Sequence, residues 1–169
     1  MKKLLCVLVT ILLGACNTAG KLQSLHTTPE NLRNLKLTNA GLTQVPFEVS
    51  KMENLEKLNL FRNKIDSVPP FLGNLNRLEE LSFQSNRLLF VAPEIGSLKR
   101  LRKLNLRFNR LESVPNELSE LSELVELDLR NNKLKRLPSD IGNLSKLEYL
   151  YLNDNDLEEL PESMAKLKI

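Results

Sequence analysis

The chain predicts an α/β solenoid, a stack of six short coils that each give one strand to a parallel sheet and one helical turn behind it. Three observations carry this. First, the stretch LRKLNLRFNRLESVPNELSEL at residues 101–121 has counterparts every 23 residues, in copies that begin at Asn31, Asn54, Arg77, Arg100, Glu123 and Lys146 without insertion. Second, each copy changes its apolar period. Alternation such as Leu104-Asn105-Leu106 has the period of a strand with one buried face. The later spacing of Leu118 and Leu121 suits a short helical turn. Third, one copy cannot cover its own apolar face, whereas stacked copies bury a continuous core.

Composition fits a leucine-built core. The 169 residues are 41% hydrophobic but only 5% aromatic, with no Trp. The formal net charge of +3 includes Lys2 and Lys3, which lie in a segment expected to be removed, leaving 22 basic against 21 acidic residues. That mixed, near-neutral surface makes no general electrostatic case for nucleic acid. The two cysteines, Cys6 and Cys16, stand at the N-terminus, so no disulfide can staple the repeats.

In chain order, the first element is an address. Met1-Lys2-Lys3 is a positive start, and Leu4 to Ala15 is a 12-residue run in which only Thr10 is plainly polar. This run is short for a membrane-spanning helix and fits the apolar region of a signal peptide. It ends in Leu13-Gly14-Ala15-Cys16, which resembles the bacterial lipobox. The resemblance implies cleavage before Cys16 once its thiol has accepted a diacyl group. Residues 1–15 then form the signal peptide, and 16–21 the lipidated Cys16 with a short polar tether. Acyl chains contribute about 0.8 kcal/mol per buried methylene, so two or more anchor stably. Asn17 stands where an Asp retains enteric-type lipoproteins at the inner membrane, so the reading leans towards the outer membrane, with the domain in the periplasm or at the surface. A plain secretory signal and an uncleaved anchor are the alternatives. Residues 22–30 lack the repeat. Leu22 and Leu25 could form one apolar side of a short helix that Pro29 ends, an N-terminal cap in which His26 is a surface residue.

The repeats fill residues 31–169. Their skeleton is L-x-x-L-x-L-x-x-N-x-L-x-x-[VL]-P, followed by an apolar residue and a further Leu. This resembles the leucine-rich repeat signature over residues 31–167, and the tails, such as LPSDIGNLSKL at 137–147, look most like the 23-residue class of Shoc2-like scaffolds and many bacterial surface proteins. The resemblance implies a curved right-handed superhelix with the parallel sheet on its concave face and the helical turns on the convex side. Recognition would then fall to outward-pointing strand residues.

Asn63, Asn86, Asn109, Asn132 and Asn155 form one column. An amide carries two donors and an acceptor, so an Asn buried at the bend can satisfy backbone groups of its own and adjacent coils. Ala40 takes this position in the first repeat, which suits a terminal coil. Repeat three departs from the pattern with Leu88-Leu89-Phe90-Val91-Ala92-Pro93: Leu89 and Phe90 replace a polar pair, and the proline comes one place late. Phe47 and Phe71 lie just beyond the proline of repeats one and two. Local packing and an apolar rim patch at Leu89 and Phe90 are both open. After repeat six, no dedicated C-terminal cap is visible before Ile169, so the last coil is expected to be partly exposed or covered by a partner.

On the outward strand face, the first column holds Asn34, Lys57, Glu80, Lys103, Glu126 and Tyr149. Its alternating charges favour mutual neutralisation over binding. The next columns hold Lys36, Asn59, Ser82, Asn105, Asp128 and Tyr151, then Thr38, Phe61, Gln84, Arg107, Arg130 and Asn153. Phe108 follows Arg107. Phe61, Phe108, Tyr149 and Tyr151 thus stand on a polar sheet with Arg107 and Arg130 among them, residue types enriched at interface hot spots.

Catalytic sets are absent from the sequence. One His and one Cys assigned to lipid cannot build a Ser-His-Asp or Cys-His arrangement, and no phosphate loop, H-E-x-x-H or CxxC pair occurs. No enzyme activity, metal or cofactor is expected. The reading is a lipid-anchored scaffold binding a protein ligand, host or self, through Phe61, Arg107, Phe108, Arg130, Tyr149 and Tyr151. The alternatives are a self-associating structural envelope protein and a carbohydrate or peptidoglycan binder that stacks sugars on Tyr149 and Tyr151. For the anchor, Cys16→Ala should yield an unlipidated precursor, and metabolic fatty-acid labelling that still marks the variant would overturn the assignment.

Overall fold

The computed structural model describes residues 31–169; the signal peptide, Cys16 and its tether, the 22–30 cap and His26 lie outside the described residues. Eight short strands follow in order: β1 (Asn34–Lys36), β2 (Lys57–Asn59), β3 (Ser67–Val68), β4 (Glu80–Ser82), β5 (Phe90–Val91), β6 (Lys103–Asn105), β7 (Glu126–Asp128) and β8 (Tyr149–Tyr151). Six of them make one parallel sheet in the order β1-β2-β4-β6-β7-β8. The register joins Leu35 to Leu58, Leu81, Leu104, Leu127 and Leu150, so every rung is one repeat. This is a leucine-rich repeat solenoid, with the sheet on its concave face.

Behind the sheet, the helical turns are 3-10 rather than α: Phe47–Lys51, Pro70–Asn74, Pro93–Ser97, Asn116–Glu120, Ile141–Asn143 and Glu162–Lys166. Their sequence explains this. A proline near the start fixes φ and begins an abrupt turn. The two apolar positions are three apart, which in a helix with three residues per turn points both at the core. The closing N–H groups accordingly reach three residues back, as Leu98 to Ile95 O at 3.1 Å and Leu121 to Leu118 O at 3.3 Å.

The core runs the length of the stack. Leu58, Leu81, Leu104 and Leu127 from the strands, Leu72, Ile95, Leu118 and Ile141 from the turns, and Phe83 are all buried. Coil six is different: Leu150, Leu152, Leu157, Met164 and Leu167 are only partly buried, and Leu160 is 60% exposed.

Each column asparagine ties two coils together. Asn63 accepts from the N–H of Ala40 at 3.0 Å and Leu42 at 3.1 Å, and donates to Leu37 O at 2.7 Å and Leu60 O at 2.9 Å. Asn86, Asn109, Asn132 and Asn155 repeat the scheme, each accepting from the preceding coil and donating to carbonyls of both. Every bond that Asn63 makes outside its own coil reaches back to coil one, where Ala40 stands in the column.

The departure in repeat three makes extra structure. β3 and β5 pair in parallel, Ser67 with Phe90 and Val68 with Val91, apart from the main sheet. Ala92 N–H extends this pairing to Val68 O at 3.1 Å. Proline occupies the Ala92 position in every other repeat and has no N–H to give. Delaying it by one residue supplies the donor. Val91 and Ala92 are buried, while Leu89 and Phe90 stay 63% and 55% exposed. Phe47 and Phe71 meet edge to face at 5.5 Å, so they pack on each other.

The turns also approach each other closely. A Cβ on Gly96 would strike the backbone carbonyl of Glu117, and Gly73 and Gly142 face Glu94 and Ser163 in the same way. Overpacking against backbone typically costs about 1–3 kcal/mol, so Gly96→Val should lower unfolding stability by about that amount. The check is the urea midpoint; a value equal to the parent's would mean that the coils separate freely at this column.

Candidate binding face on the parallel sheet

The first outward column is neutralised in pairs rather than along a continuous ladder. Lys57 Nζ meets Glu80 Oε1 at 2.6 Å, and Lys103 Nζ meets Glu126 Oε2 at 3.0 Å. The hydrogen bond and then the charge of Glu126 raise the Lys103 ammonium above its ordinary pKa. A shallow groove of about 250 Å³ crosses these rungs from Asn34 to Glu126.

The second column is largely engaged in local structure. Asn59 Oδ1 accepts the N–H of Phe61 at 2.9 Å, Asn105 Oδ1 that of Arg107 at 3.1 Å, and Asp128 Oδ1 that of Arg130 at 3.1 Å. Asx side chains form such bonds two residues onward, and here they turn the chain away from the strand. They also hold the third column in place.

The third column sorts into two clusters. In the first, Arg130 makes a fork on Asp128, Nε to Oδ1 at 2.9 Å and Nη2 to Oδ2 at 2.6 Å. That hydrogen bond leads the causes that raise the Arg130 pKa. The guanidinium also lies 4.4 Å from the Tyr151 ring centroid, and Tyr151 stacks on Tyr149 at 6.4 Å with planes 12° apart. Arg130 therefore serves first to neutralise an aspartate whose side chain is only 4% exposed.

In the second cluster Arg107 forms no ion pair among the described residues. Arg107 lies 4.3 Å over the Phe108 ring, and its buried Nε–H has no partner among the described residues. Phe108 is 42% exposed and adopts φ 56°. The same position in every repeat is left-handed: Asn39, Arg62, Ser85, Phe108, Asn131 and Asp154 have φ of 53–59°. Asn and Asp tolerate this region, whereas a bulky aromatic is an outlier there. Phe61 is half-buried in the third column two coils earlier, with Arg62 at 5.8 Å from its ring.

The structure thus brings Arg107 to Phe108, and Arg130 to Tyr151 and Tyr149. It does not bring Leu89 and Phe90 to either group, because Phe90 lies on the separate β3–β5 sheet and Leu89 directly precedes it. Reading strand positions alone misses a further set. Lys64, Arg87, Arg110 and Lys133, one residue past the asparagine column, are all exposed and form no ion pair among the described residues. Their signal was a basic residue every 23 positions in four successive repeats. Among the described residues, no group of three or more His, Cys, Asp or Glu could hold a metal, and no helix is long and apolar enough to cross a membrane.

These features define a repeat protein with a patterned concave face, and comparison with known proteins agrees. The model of the leucine-rich repeat region matches residues 3–130 and 90–169. The chain belongs to the leucine-rich repeat family. It is similar to the solved structure of a leucine-rich repeat protein of Leptospira interrogans, at 27% identity and TM-score 0.59 over 89% of this chain and 55% of that one. An internalin of Listeria monocytogenes matches at 27% identity and TM-score 0.62, over 74% of this chain and 36% of the other. The functional domain of internalin J of the same organism, which includes a cysteine ladder, shares the fold at 22% identity and TM-score 0.70, over 82% and 29%. The chain thus spans about half or less of the length of these solved relatives. No match was found among curated proteins.

The left-handed backbone costs an ordinary residue about 1–2 kcal/mol, against about 0.5–1 kcal/mol for an exposed cation–π contact. Phe108→Asn should therefore raise unfolding stability, by about 0.5–1 kcal/mol. A lowered urea midpoint would instead show that ring packing on Arg107 outweighs the backbone.

Proposed function

We propose that this chain is a non-enzymatic scaffold that binds a protein ligand, from a host or from its own cell, through its concave face. Leucine-rich repeat proteins commonly bind protein partners. The observation that carries the reading is the Arg107–Phe108 pair. Stacking explains the leucines, the asparagines and the prolines, but it requires neither of these residues. An unpaired buried N–H and a left-handed aromatic are both unfavourable. Their retention side by side on an open face fits a site that is completed by a partner, since local strain collects at such sites. Phe61 extends this surface, while Tyr149, Tyr151 and the Asp128-bound Arg130 form its other end.

The scaffold is tethered to a bacterial envelope through lipid on Cys16, in the outer membrane by the sorting argument from Asn17. The lipobox-like Leu13-Gly14-Ala15-Cys16 supports this placement. A second reading, self-association through coil six, draws on exposed Tyr149, Leu160 and Ile169.

The test is capture from envelope and host extracts, comparing the parent with a Phe61→Ala/Arg107→Ala/Phe108→Ala variant. Loss of specific captured proteins, with an unchanged circular dichroism spectrum, is the expected result. Capture of the same proteins by the folded variant would remove the concave face from consideration, and the chain's own copies as the captured species would favour self-association.

A further inference from the structure

Lys64, Arg87, Arg110 and Lys133 stand in register on four consecutive coils, just past the C-terminal ends of the strands. Their backbones are fixed there. Each N–H donates to the preceding coil, Lys64 to Leu42 O at 2.7 Å, Arg87 to Ile65 O at 2.9 Å, Arg110 to Leu88 O at 3.0 Å and Lys133 to Leu111 O at 2.8 Å. Rungs of a parallel stack lie about 4.8 Å apart, so like charges are held as neighbours. Such placement is unfavourable on its own account.

Elsewhere the same repeat offset places opposite charges together, as in Lys57–Glu80, Lys103–Glu126 and Lys146–Glu123. The strip makes no such pair among the described residues. Beside it lies an open concavity of about 710 Å³, lined by Arg62, Lys64, Arg87, Arg110 and Phe108 and by no carboxylate. Cations and an exposed aromatic therefore face one space.

We infer that the strip is a docking site for an acidic stretch of a partner polypeptide, extended along the four rungs. The inference deepens the scaffold reading and rests on it. Three rung intervals cover about 14 Å, the length of about five residues of extended chain. Carboxylates on that segment supply the missing counter-charge, and an apolar side chain on it meets Phe108. A sulfated polysaccharide matches the charge but offers no apolar side chain to the ring. The column ends at Asp156 on the rung after Lys133, and the cations before it, which form no ion pair among the described residues, steer an oppositely charged partner to the face and raise its rate of encounter.

Fluorescence anisotropy tests this with the full chain and a labelled peptide of Glu and Asp around one Phe. A Lys-based counterpart and a heparin-type sulfated oligosaccharide serve as the other probes. The acidic peptide should bind, weaken as added salt screens the strip, and have no Lys-based equivalent. A Lys64→Gln/Arg87→Gln/Arg110→Gln variant should lose at least about tenfold in affinity. Lys99→Gln/Lys146→Gln, which removes paired cations elsewhere, should lose none. The Gln variants change only exposed side chains, and circular dichroism checks that they stay folded. Absence of acidic-peptide binding, equal binding by both variants, or tighter binding of the oligosaccharide than of the peptide to the strip would overturn the inference. If the peptide arm fails while the Phe61/Arg107/Phe108 variant still loses its captured partner, only the strip is lost. If that capture also shows no difference, the scaffold reading falls with it.

Discussion

Backbone satisfaction between coils is the constraint on which this structure depends. A coil with a three-residue strand and a short 3-10 turn leaves many N–H and C=O groups without partners inside itself. Buried, each would destabilise the fold. Backbone bonds between coils satisfy most of them, and the asparagine column adds one side chain in each of coils two to six, which accepts from the coil before and donates to both coils. That geometry requires a fixed repeat length, because an inserted residue before the column would move the amide away from its carbonyls. A left-handed residue precedes the column position in every coil, Asn39 before Ala40 included, so this reversal belongs to the coil itself and not to the asparagine.

With stacking accounted for, the outward residues divide by what holds them. Some are ion-paired across rungs, some cap the turn after the strand, and Arg130 neutralises a buried aspartate. These belong to stability even though they face solvent. A smaller group stays uncommitted: Arg107 with its unpaired Nε, Phe108 in a strained backbone, and the cations of the rim strip. Uncompensated charge and strain concentrate within a few rungs of one another, beside one concavity. Binding by such a surface would neutralise the charge and bury the ring together, whereas binding on the paired columns would first have to break existing pairs.

Much of this was legible in the letters. The repeat length, the strand register and the asparagine column follow from the spacing of Leu and Asn, because periodicity records which side chains share a face. The candidate face was less legible. Phe61, Arg107, Phe108, Arg130, Tyr149 and Tyr151 look alike as exceptions to the repeat, yet the fork between Arg130 and Asp128 separates one of them from the rest. Both residues stand two apart in an outward strand pattern, and nothing in that pattern says that the aspartate is buried. Leu89 and Phe90 likewise look like a loose patch until β3 and β5 are seen to pair, a pairing that the N–H made available by a displaced proline extends by one bond.

The sequence by itself determined the architecture: six in-register coils, a leucine core and an asparagine ladder, because each rests on spacing along the chain. Tertiary structure alone decided which surface groups are spent. Ion pairing and cation–π stacking join residues one repeat apart, as Lys57 to Glu80, or a step or two apart, as Arg130 to Asp128 and Arg107 to Phe108, and residue type does not encode which of these form. The stretch from Leu101 to Leu121 shows both at once. Its leucines and Asn109 were settled by periodicity, and the standing of Arg107, Phe108 and Arg110 by contacts: Arg107 stacks on Phe108 yet keeps an unpartnered Nε, and Arg110 forms no ion pair among the described residues.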